Sequence, residues 1–202
     1  MNEEDCPSYH TKKRLSEFID VRKGSLDSIF CHEVIKKYKL DSRKTPASTV
    51  GGVTDRLYRK TKLNISNLEE WKTFDDHFFN ILAEELKTYC VQPAKPIQDA
   101  GYLIAHQDKE GYYHWHSDSH WELGWNRIIT FIWYLNTLKD GHTEFSFGRK
   151  IKPNVGDLLL FPSNDMFVHR SNFTSSDKYI CTGWIYEKTA TPDNPSNSYL
   201  PT

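Results

Sequence analysis

The sequence predicts an α+β fold, mainly β, because its two halves carry different hydrophobic patterns. Between residues 25 and 89, apolar side chains recur at three- and four-residue spacing, which is typical of amphipathic helices. After Gly101, short β-rich runs are separated by Gly, Asp, Asn and Pro, and eight of them fit into about ninety residues. So many short strands indicate a sandwich or jelly roll rather than alternating βαβ units.

Two helices are predicted before residue 100. The first covers Ser25–Leu40. The second begins at Asn67, a favourable N-cap residue with Glu70 three positions later, and Pro93 and Pro96 end it. The helical half has no obvious second face to bury by itself, so we expect its helices to cover the outside of one sheet.

Eight strands are predicted in the second half, each bounded by turn-forming residues. Their ranges are Tyr102–Gln107, Tyr112–Ser117, Arg127–Leu135, Thr143–Phe147, Arg149–Ile151, Asp157–Phe161, Phe167–His169 and Tyr179–Tyr186. We therefore expect one domain over 1–202, with a helical part at 1–100, a strand core at 101–187 and a flexible tail at 188–202. The tail is rich in Thr, Pro, Asn and Ser.

The composition excludes several classes of function. With 26 basic and 27 acidic side chains, the net charge of -1 argues against a nucleic-acid or membrane partner. No apolar run approaches the ~20 residues that cross a bilayer. The N-terminus is polar and shows no secretory signal, so a cytoplasmic location is expected. The four cysteines are scattered without a C-x-x-C pair and are expected to be reduced thiols.

His116 and Asp118 are the most informative pair of residues in the chain. They close a strand-like run, and residues i and i+2 of a strand share a face. His169 closes a second predicted strand, and a jelly roll brings the ends of such strands together. Two imidazoles and one carboxylate are the usual ligands of non-heme Fe(II) oxygenases and leave positions for a chelating cosubstrate and O2. Lys178 would then hold the far end of an acidic cosubstrate.

Plainer interpretations of these residues stand beside the metal hypothesis. An H-x-D triplet alone is weak evidence in a chain with nine histidines, since a surface histidine often precedes an aspartate. We expect His114 at the surface or behind the ligands, and His120 in the loop that follows. Trp121 and Trp125 lie in the same stretch and are candidates for a substrate lid or for ordinary packing.

Residues 101–186 also resemble the Fe(II)- and 2-oxoglutarate-dependent dioxygenases, most closely the prolyl 4-hydroxylase-like branch. The matching segments are, in order, GYYHWHSD, RIITFIWYLN, DGHTEFSF, KPNVGDLLLFPS, His169 and KYICTGWIY. Similar enzymes carry a basic residue nine or ten positions after the distal histidine and an aromatic residue six positions later. Lys178 and Trp184 meet both spacings. The resemblance implies a double-stranded β-helix (jelly-roll) core with the N-terminal helices packed on one sheet.

The resemblance further implies which residues bind the cofactors. The residues that bind Fe(II) and form the catalytic centre would be His116, Asp118 and His169. Lys178 would pair with the distal carboxylate of 2-oxoglutarate, a charge-assisted contact. Tyr134 and Thr182 would belong to the same cosubstrate pocket. O2 would be the second cosubstrate, with ascorbate a candidate reductant.

Two features depart from the family pattern. The strand before His116 usually brings a tyrosine towards the cosubstrate, and here the candidate positions are His106 and Gln107. His106 is therefore either a cosubstrate contact or an ordinary core histidine. Lys178 is typical of collagen-type enzymes, whereas Tyr134 matches the oxygen-sensing prolyl hydroxylases, so the subgroup stays open.

The resemblance implies a proline-containing peptide or protein as the substrate, hydroxylated at C4 with release of succinate and CO2. Substrate contacts would come from Arg127, Tyr113 and Trp184, and the segment 41–62 would form a mobile wall of the groove. One alternative is a hydroxylase of a small molecule or free amino acid on the same fold. Another is a non-catalytic jelly roll that binds metal or ligand without turnover. The neutral charge disfavours a nucleic-acid demethylase.

Overall fold

The computed structural model describes residues 14–46, 60–93, 95–122 and 124–188. Most of the predicted tail and residues 47–59 of the predicted groove wall lie outside these ranges. Within them, no helix is long and apolar enough to cross a bilayer.

The first helix, α1, covers Ser28–Leu40 and begins three residues later than predicted. Asp27 is its N-cap, since Oδ1 accepts hydrogen bonds from the amides of Ile29 and Phe30 at 2.7 and 3.3 Å. The second helix, α2, covers Lys72–Leu86 and follows a 3-10 turn at Glu69–Trp71.

The predicted start of the second helix is wrong. Asn67 does not cap α2, and the Glu70 carboxylate lies 3.2 Å from a guanidinium nitrogen of Arg43 instead of completing a capping box. Because Arg43 is distant in sequence, this tertiary ion pair could not be anticipated from a local motif.

Thirteen strands are present in the described ranges. They are β1 Asp20–Arg22, β2 Thr45–Pro46, β3 Lys60–Asn64, β4 Ile97–Asp99, β5 Leu103–Gln107, β6 Tyr113–His116, β7 Trp121–Glu122, β8 Trp125–Tyr134, β9 Thr143–Phe145, β10 Lys150–Ile151, β11 Leu158–Pro162, β12 His169–Ser171 and β13 Lys178–Lys188. All eight predicted strands correspond to one of them. The predicted run Phe167–His169 is shifted, because Phe167 ends a 3-10 turn and the strand starts at His169.

Five of these strands were not predicted, and four of them, β1 to β4, belong to residues 1–100. That part is therefore not only helical, since its strands pair with the core in the same sheet. Segments such as DVR and KTKLN are short and polar and show no long alternation, so only their pairing with β11 and β5 makes them strands.

The strands form two antiparallel sheets. The larger has the order β1-β11-β8-β13-β5-β3-β2, with β4 paired to β13 and β7 to β8, and the smaller has the order β10-β9-β12-β6. Between the sheets, the rings of Phe145 and Phe161 pack edge to face with centroids 5.0 Å apart. This arrangement confirms the predicted jelly-roll core.

Both helices pack on the outer face of the larger sheet, as predicted. The ring of Phe78 from α2 lies 5.3 Å from that of Trp133 and 5.6 Å from that of Tyr102. Val34 and Tyr38 from α1 are buried in the same apolar cluster. The helices thus leave the inner face of the sheet available to a site.

Candidate active site

The three predicted metal ligands converge between the two sheets. His116 and His169 are direct partners across β6 and β12, and Asp118 follows β6 by two residues. Asp118 Oδ1 lies 3.7 Å from His116 Nε2, and its Oδ2 lies 3.7 Å from His169 Nε2. One ligand atom from each residue falls within 4.8 Å of the others, which is close enough for a single ion to contact all three.

Hydrogen bonds orient both imidazoles towards this common point. Nδ1 of His116 lies 2.8 Å from the carbonyl oxygen of His114, and Nδ1 of His169 lies 3.0 Å from that of Phe167. Since a carbonyl can only accept, each Nδ1 carries a proton, and each Nε2 is the ring nitrogen that faces the common point. A second hydrogen bond that fixes tautomer and ring orientation is the usual arrangement of metal-binding histidines.

The Asp118 carboxylate is buried and accepts a hydrogen bond from the first of two linked hydroxyl groups. Thr130 donates to Oδ2 at 2.8 Å, and Ser163 donates to Thr130 Oγ1 at 2.7 Å because the Thr130 proton is already used. Burial by itself would raise the pKa of Asp118, but the neighbouring His169 and His116 and the Thr130 hydrogen bond bring it below its ordinary value. The group is therefore an anion, as a metal ligand must be.

A cavity of about 530 Å³ opens beside these ligands. Its walls come from the inner faces of both sheets. Besides the three ligands, they are formed by Lys62, Leu103, Ala105, Gln107, Tyr113, Ser117, Arg127, Ile132, Thr143, Arg170, Ser171, Lys178, Ile180, Thr182 and Trp184.

Lys178 lies in the interior of the cavity and is only 3% exposed. Its Nζ donates to the carbonyl oxygen of Gly141 at 2.6 Å and to Ser171 Oγ at 2.8 Å. It also lies 5.7 Å from the centroid of the Tyr134 ring. Lys178 therefore brings a buried ammonium into the same cavity as the triad.

Thr182 and Tyr134, two of the other three predicted cosubstrate residues, differ in their placement. Thr182 lines the cavity, and its hydroxyl donates to the carbonyl oxygen of Phe131 at 2.8 Å. Tyr134 is fully buried behind the wall, and its hydroxyl donates to Thr143, which does line the cavity, at 2.8 Å. Tyr134 therefore supports the wall instead of facing the cavity.

His106 is on the wrong side of its strand to contact a ligand in this cavity. Residues 103, 105 and 107 of β5 line the cavity, whereas Ile104 and His106 point to the helical side. There the His106 ring stacks on Tyr179 with centroids 4.5 Å apart. Of the two positions considered, Gln107 is the one that faces the cavity, because side chains alternate along a strand.

The three predicted substrate residues line the cavity. The guanidinium of Arg127 lies 3.8 Å from the Trp184 ring centroid, and its Nε donates to the Tyr186 hydroxyl at 2.7 Å. The Tyr113 ring packs edge-on against His116 with centroids 4.5 Å apart. A cation stacked on an aromatic ring is a rigid surface for binding.

The remaining residues of the motif region are placed as follows. His114 is exposed, and its ring packs against Tyr112 with centroids 4.9 Å apart, outside the triad. The carbonyl of His120 accepts a hydrogen bond from the Arg127 amide at 3.0 Å. Trp121 begins β7, which pairs with β8, and its side chain is 64% exposed. Part of the stretch predicted as a loop is thus strand, because Trp121 lies in β7 and Trp125 begins β8.

Several residues of the site were missed by the sequence analysis, notably Thr130, Ser163 and Ser171. Thr130 could have been found, because it shares a strand face with Tyr134 four residues later. Ser163 and Ser171 had no such signal. Ser163 reaches Thr130 from the end of β11, which is the neighbour of β8 in the larger sheet, and Ser171 reaches Lys178 through the packing of one sheet on the other.

Comparison with known families identifies the part of the chain that carries the site. Residues 101–186 match the family model described as the 2OG-Fe(II) oxygenase superfamily. This range contains the triad and Lys178, and it agrees with the resemblance found from the sequence motifs. A comparison with curated proteins gave no match.

Solved structures of similar fold include three prolyl hydroxylases. A viral collagen prolyl hydroxylase from Paramecium bursaria Chlorella virus-1, in its 2OG complex, is 19% identical, with a TM-score of 0.65 over 86% of this chain and 97% of that one. A Trichoplax adhaerens prolyl hydroxylase bound to a peptide fragment of hypoxia-inducible factor is 19% identical, with a TM-score of 0.71 over 84% and 83%. A Pseudomonas putida prolyl 4-hydroxylase is 12% identical, with a TM-score of 0.61 over 85% and 93%. At these identities the likeness establishes the fold.

Proposed function

We propose that this chain, whose residues 101–186 match the 2OG-Fe(II) oxygenase superfamily, is a hydroxylase of that superfamily acting on a proline of a peptide or protein. The main support for this proposal is that His116, Asp118, His169 and Lys178 converge on one cavity. The first three offer a metal site, and the fourth offers a cationic partner for a dicarboxylate cosubstrate.

The donor set fits Fe(II). Two imidazole nitrogens oriented by backbone carbonyls and one carboxylate held by Thr130 would provide three protein ligands for the ion. When bound, Fe(II) would activate O2 for hydroxylation of the substrate, with 2-oxoglutarate as the cosubstrate that takes up the second oxygen atom and is released as succinate and CO2. The ligands for the ion would be His116, Asp118 and His169.

The protein's own residues supply binding and orientation. Lys178 would bind the distal carboxylate of 2-oxoglutarate, and the apolar side chains of Ile132 and Ile180 line the cavity beside it and limit access of water. Thr182 and Gln107 would border the same ligand. Tyr134 would act indirectly, through its hydrogen bond to Thr143.

The substrate would bind at Arg127, Tyr113 and Trp184. The cation over the Trp184 ring presents a rigid polar surface, and Tyr113 lies between it and the metal ligand His116. Support for a peptide comes from the Trichoplax enzyme of the same fold, which holds a peptide fragment. The motifs shared with prolyl 4-hydroxylases support proline as the target.

A second candidate is a hydroxylase of a small molecule or free amino acid. The cavity volume of about 530 Å³ favours it, since this lies within the usual range of small-molecule sites. A non-catalytic jelly roll is the third candidate. Loss of turnover in His169→Ala, with the fold retained, would separate both hydroxylases from it.

The test is mass spectrometry of a proline-containing peptide library incubated with the protein, Fe(II), 2-oxoglutarate and ascorbate in air. We expect one added oxygen on a proline, and only when 2-oxoglutarate is present. Succinate without a modified peptide would move the search to small molecules or other residues. If iron-loaded protein forms neither product, the hydroxylase proposal fails.

A further inference from the structure

A chain of hydrogen bonds runs from Lys178 to the opposite sheet and back. Lys178 Nζ donates to Ser171 Oγ at 2.8 Å, and the Ser171 hydroxyl donates to Gln107 Oε1, also at 2.8 Å. Gln107 Nε2 in turn donates to the carbonyl oxygens of Gly111 and Asn172 at 2.7 and 3.1 Å.

The donor and acceptor of each hydrogen bond in this chain follow from the partners of Gln107. Because both partners of the Gln107 amide nitrogen are carbonyls, which only accept, the Gln107 oxygen must face Ser171 as an acceptor. The single proton of Ser171 is then committed to Gln107. Its oxygen lone pair is left facing Lys178, so Ser171 receives a hydrogen bond from the ammonium and cannot turn away without breaking the chain.

The fold holds the ends of the chain in place. Lys178 and Gln107 are direct partners across β13 and β5 of the larger sheet. Ser171 belongs to β12 of the smaller sheet, two residues after the ligand His169, and is paired there with Thr143. Gln107 is 4% exposed and Lys178 is 3% exposed. The Ser171 hydroxyl therefore connects the two sheets at the level of the ammonium.

The chemistry of these partners suits a cation that must bind an anion. Ser171 and the Gly141 carbonyl are neutral, so they orient the ammonium without cancelling its charge. A carboxylate in either place would compete with an incoming acid for the same charge. A serine and a glutamine thus fix the position of Lys178 without themselves neutralising its charge.

We infer that Ser171 and Gln107 are positioning residues that aim Lys178 at the distal carboxylate of the dicarboxylate cosubstrate. The inference rests on the proposed function, since it takes 2-oxoglutarate as the ligand of this cavity. Removing the Ser171 hydroxyl should weaken binding of the distal carboxylate while leaving chelation at the metal intact.

The experiment is titration calorimetry on protein loaded with Mn²⁺, which accepts nitrogen and oxygen ligands, in the absence of O2. Two probes are compared. One is 2-oxoglutarate, and the other is oxalate, which chelates a metal but has no distal carboxylate. For Ser171→Ala we expect about tenfold weaker binding of 2-oxoglutarate, in line with losing one hydrogen bond to a charged group, and unchanged binding of oxalate.

Three further variants make the result specific. Ser171→Thr keeps the hydroxyl and should bind 2-oxoglutarate nearly as the wild type does. Ser176→Ala removes an exposed hydroxyl from the loop before β13 and should change neither probe. Gln107→Leu, checked for folding by thermal denaturation, should weaken 2-oxoglutarate in the same direction as Ser171→Ala.

The outcomes distinguish this inference from the function on which it rests. Equal affinity of wild type and Ser171→Ala for 2-oxoglutarate would overturn the inference alone. So would a loss of oxalate binding that matches the loss of 2-oxoglutarate binding, because the damage would then lie at the metal. Wild-type protein that binds oxalate but not 2-oxoglutarate would overturn both proposals.

Discussion

His116 and His169 face each other as direct partners across two antiparallel strands, with ring centroids 4.2 Å apart. Residues 53 positions apart in the chain thus become neighbours through strand pairing. A shift of one residue in this register would turn one of the two side chains to the other face of the sheet. The proposed metal site therefore depends on the register of β6 and β12.

The hydroxyl behind Asp118 should tune metal affinity. Thr130→Val keeps the shape of the side chain but removes the donor to Asp118 Oδ2. Loss of such an outer hydrogen bond typically weakens metal binding by about 10- to 100-fold. We expect a weakening of at least about tenfold for Mn²⁺, measured by titration without O2. Thr130→Ser retains the donor and should stay close to wild type; equal affinity in wild type and Thr130→Val would contradict the role given to Thr130.

Removal of the Lys178 ammonium should affect the cosubstrate and spare the metal. Lys178→Ala should cost on the order of 2–4 kcal/mol of 2-oxoglutarate binding, which is about a 30- to 1,000-fold higher requirement. Steady-state kinetics against 2-oxoglutarate and a separate metal titration measure the two effects. Lys152→Ala, at an exposed position, is the control. An unchanged 2-oxoglutarate requirement would exclude Lys178 as its partner.

Arg127 should affect the substrate and not the cosubstrate. In Arg127→Ala the cation over Trp184 and the bond to Tyr186 are lost. We expect the KM for a hydroxylated peptide to rise about tenfold, as for a moderate interface contact, with the KM for 2-oxoglutarate unchanged. Arg149→Ala serves as the exposed control. A rise confined to the KM for 2-oxoglutarate would place Arg127 on the cosubstrate side instead.

Glu144 on the smaller sheet should make stability depend on acid pH. Arg170 Nη2 lies 2.7 Å from its carboxylate, and hydrogen bonds from Arg170, followed by Asn172, lower the pKa of Glu144 from 4.5 to about 2. The native state thus favours the deprotonated form, so its stabilisation is complete above pH 4.5 and is lost as the pH falls towards 2.

The variant Glu144→Gln tests this directly. Its free energy of unfolding should fall below that of the wild type near neutral pH, and the gap should narrow steadily from about pH 4.5 downwards. Urea unfolding at a series of pH values measures the gap. Glu33→Gln, which alters an exposed carboxylate on α1, should show no such trend. A difference in the free energy of unfolding that widens in acid would refute this role of Glu144.

The ligand set and most of the core strands were accessible from local sequence. His116 and Asp118 share a strand face by their spacing alone, and the eight strands after residue 100 carry strong β-forming patterns. In contrast, local sequence did not predict which way the His106 side chain points. Strand alternation allows either His106 or Gln107 to face the cavity, and the choice depended on which face the helices cover.

Local sequence was sufficient to nominate the proposed metal and cosubstrate ligands, since these residue types are few and their spacing along strands is regular. How those side chains are held depends on the tertiary fold. Thr130 and Ser163 stand behind Asp118, and Ser171 joins Lys178 to Gln107, because two sheets pack face to face. Contacts between distant strands depend on register and sheet packing, which local periodicity does not encode.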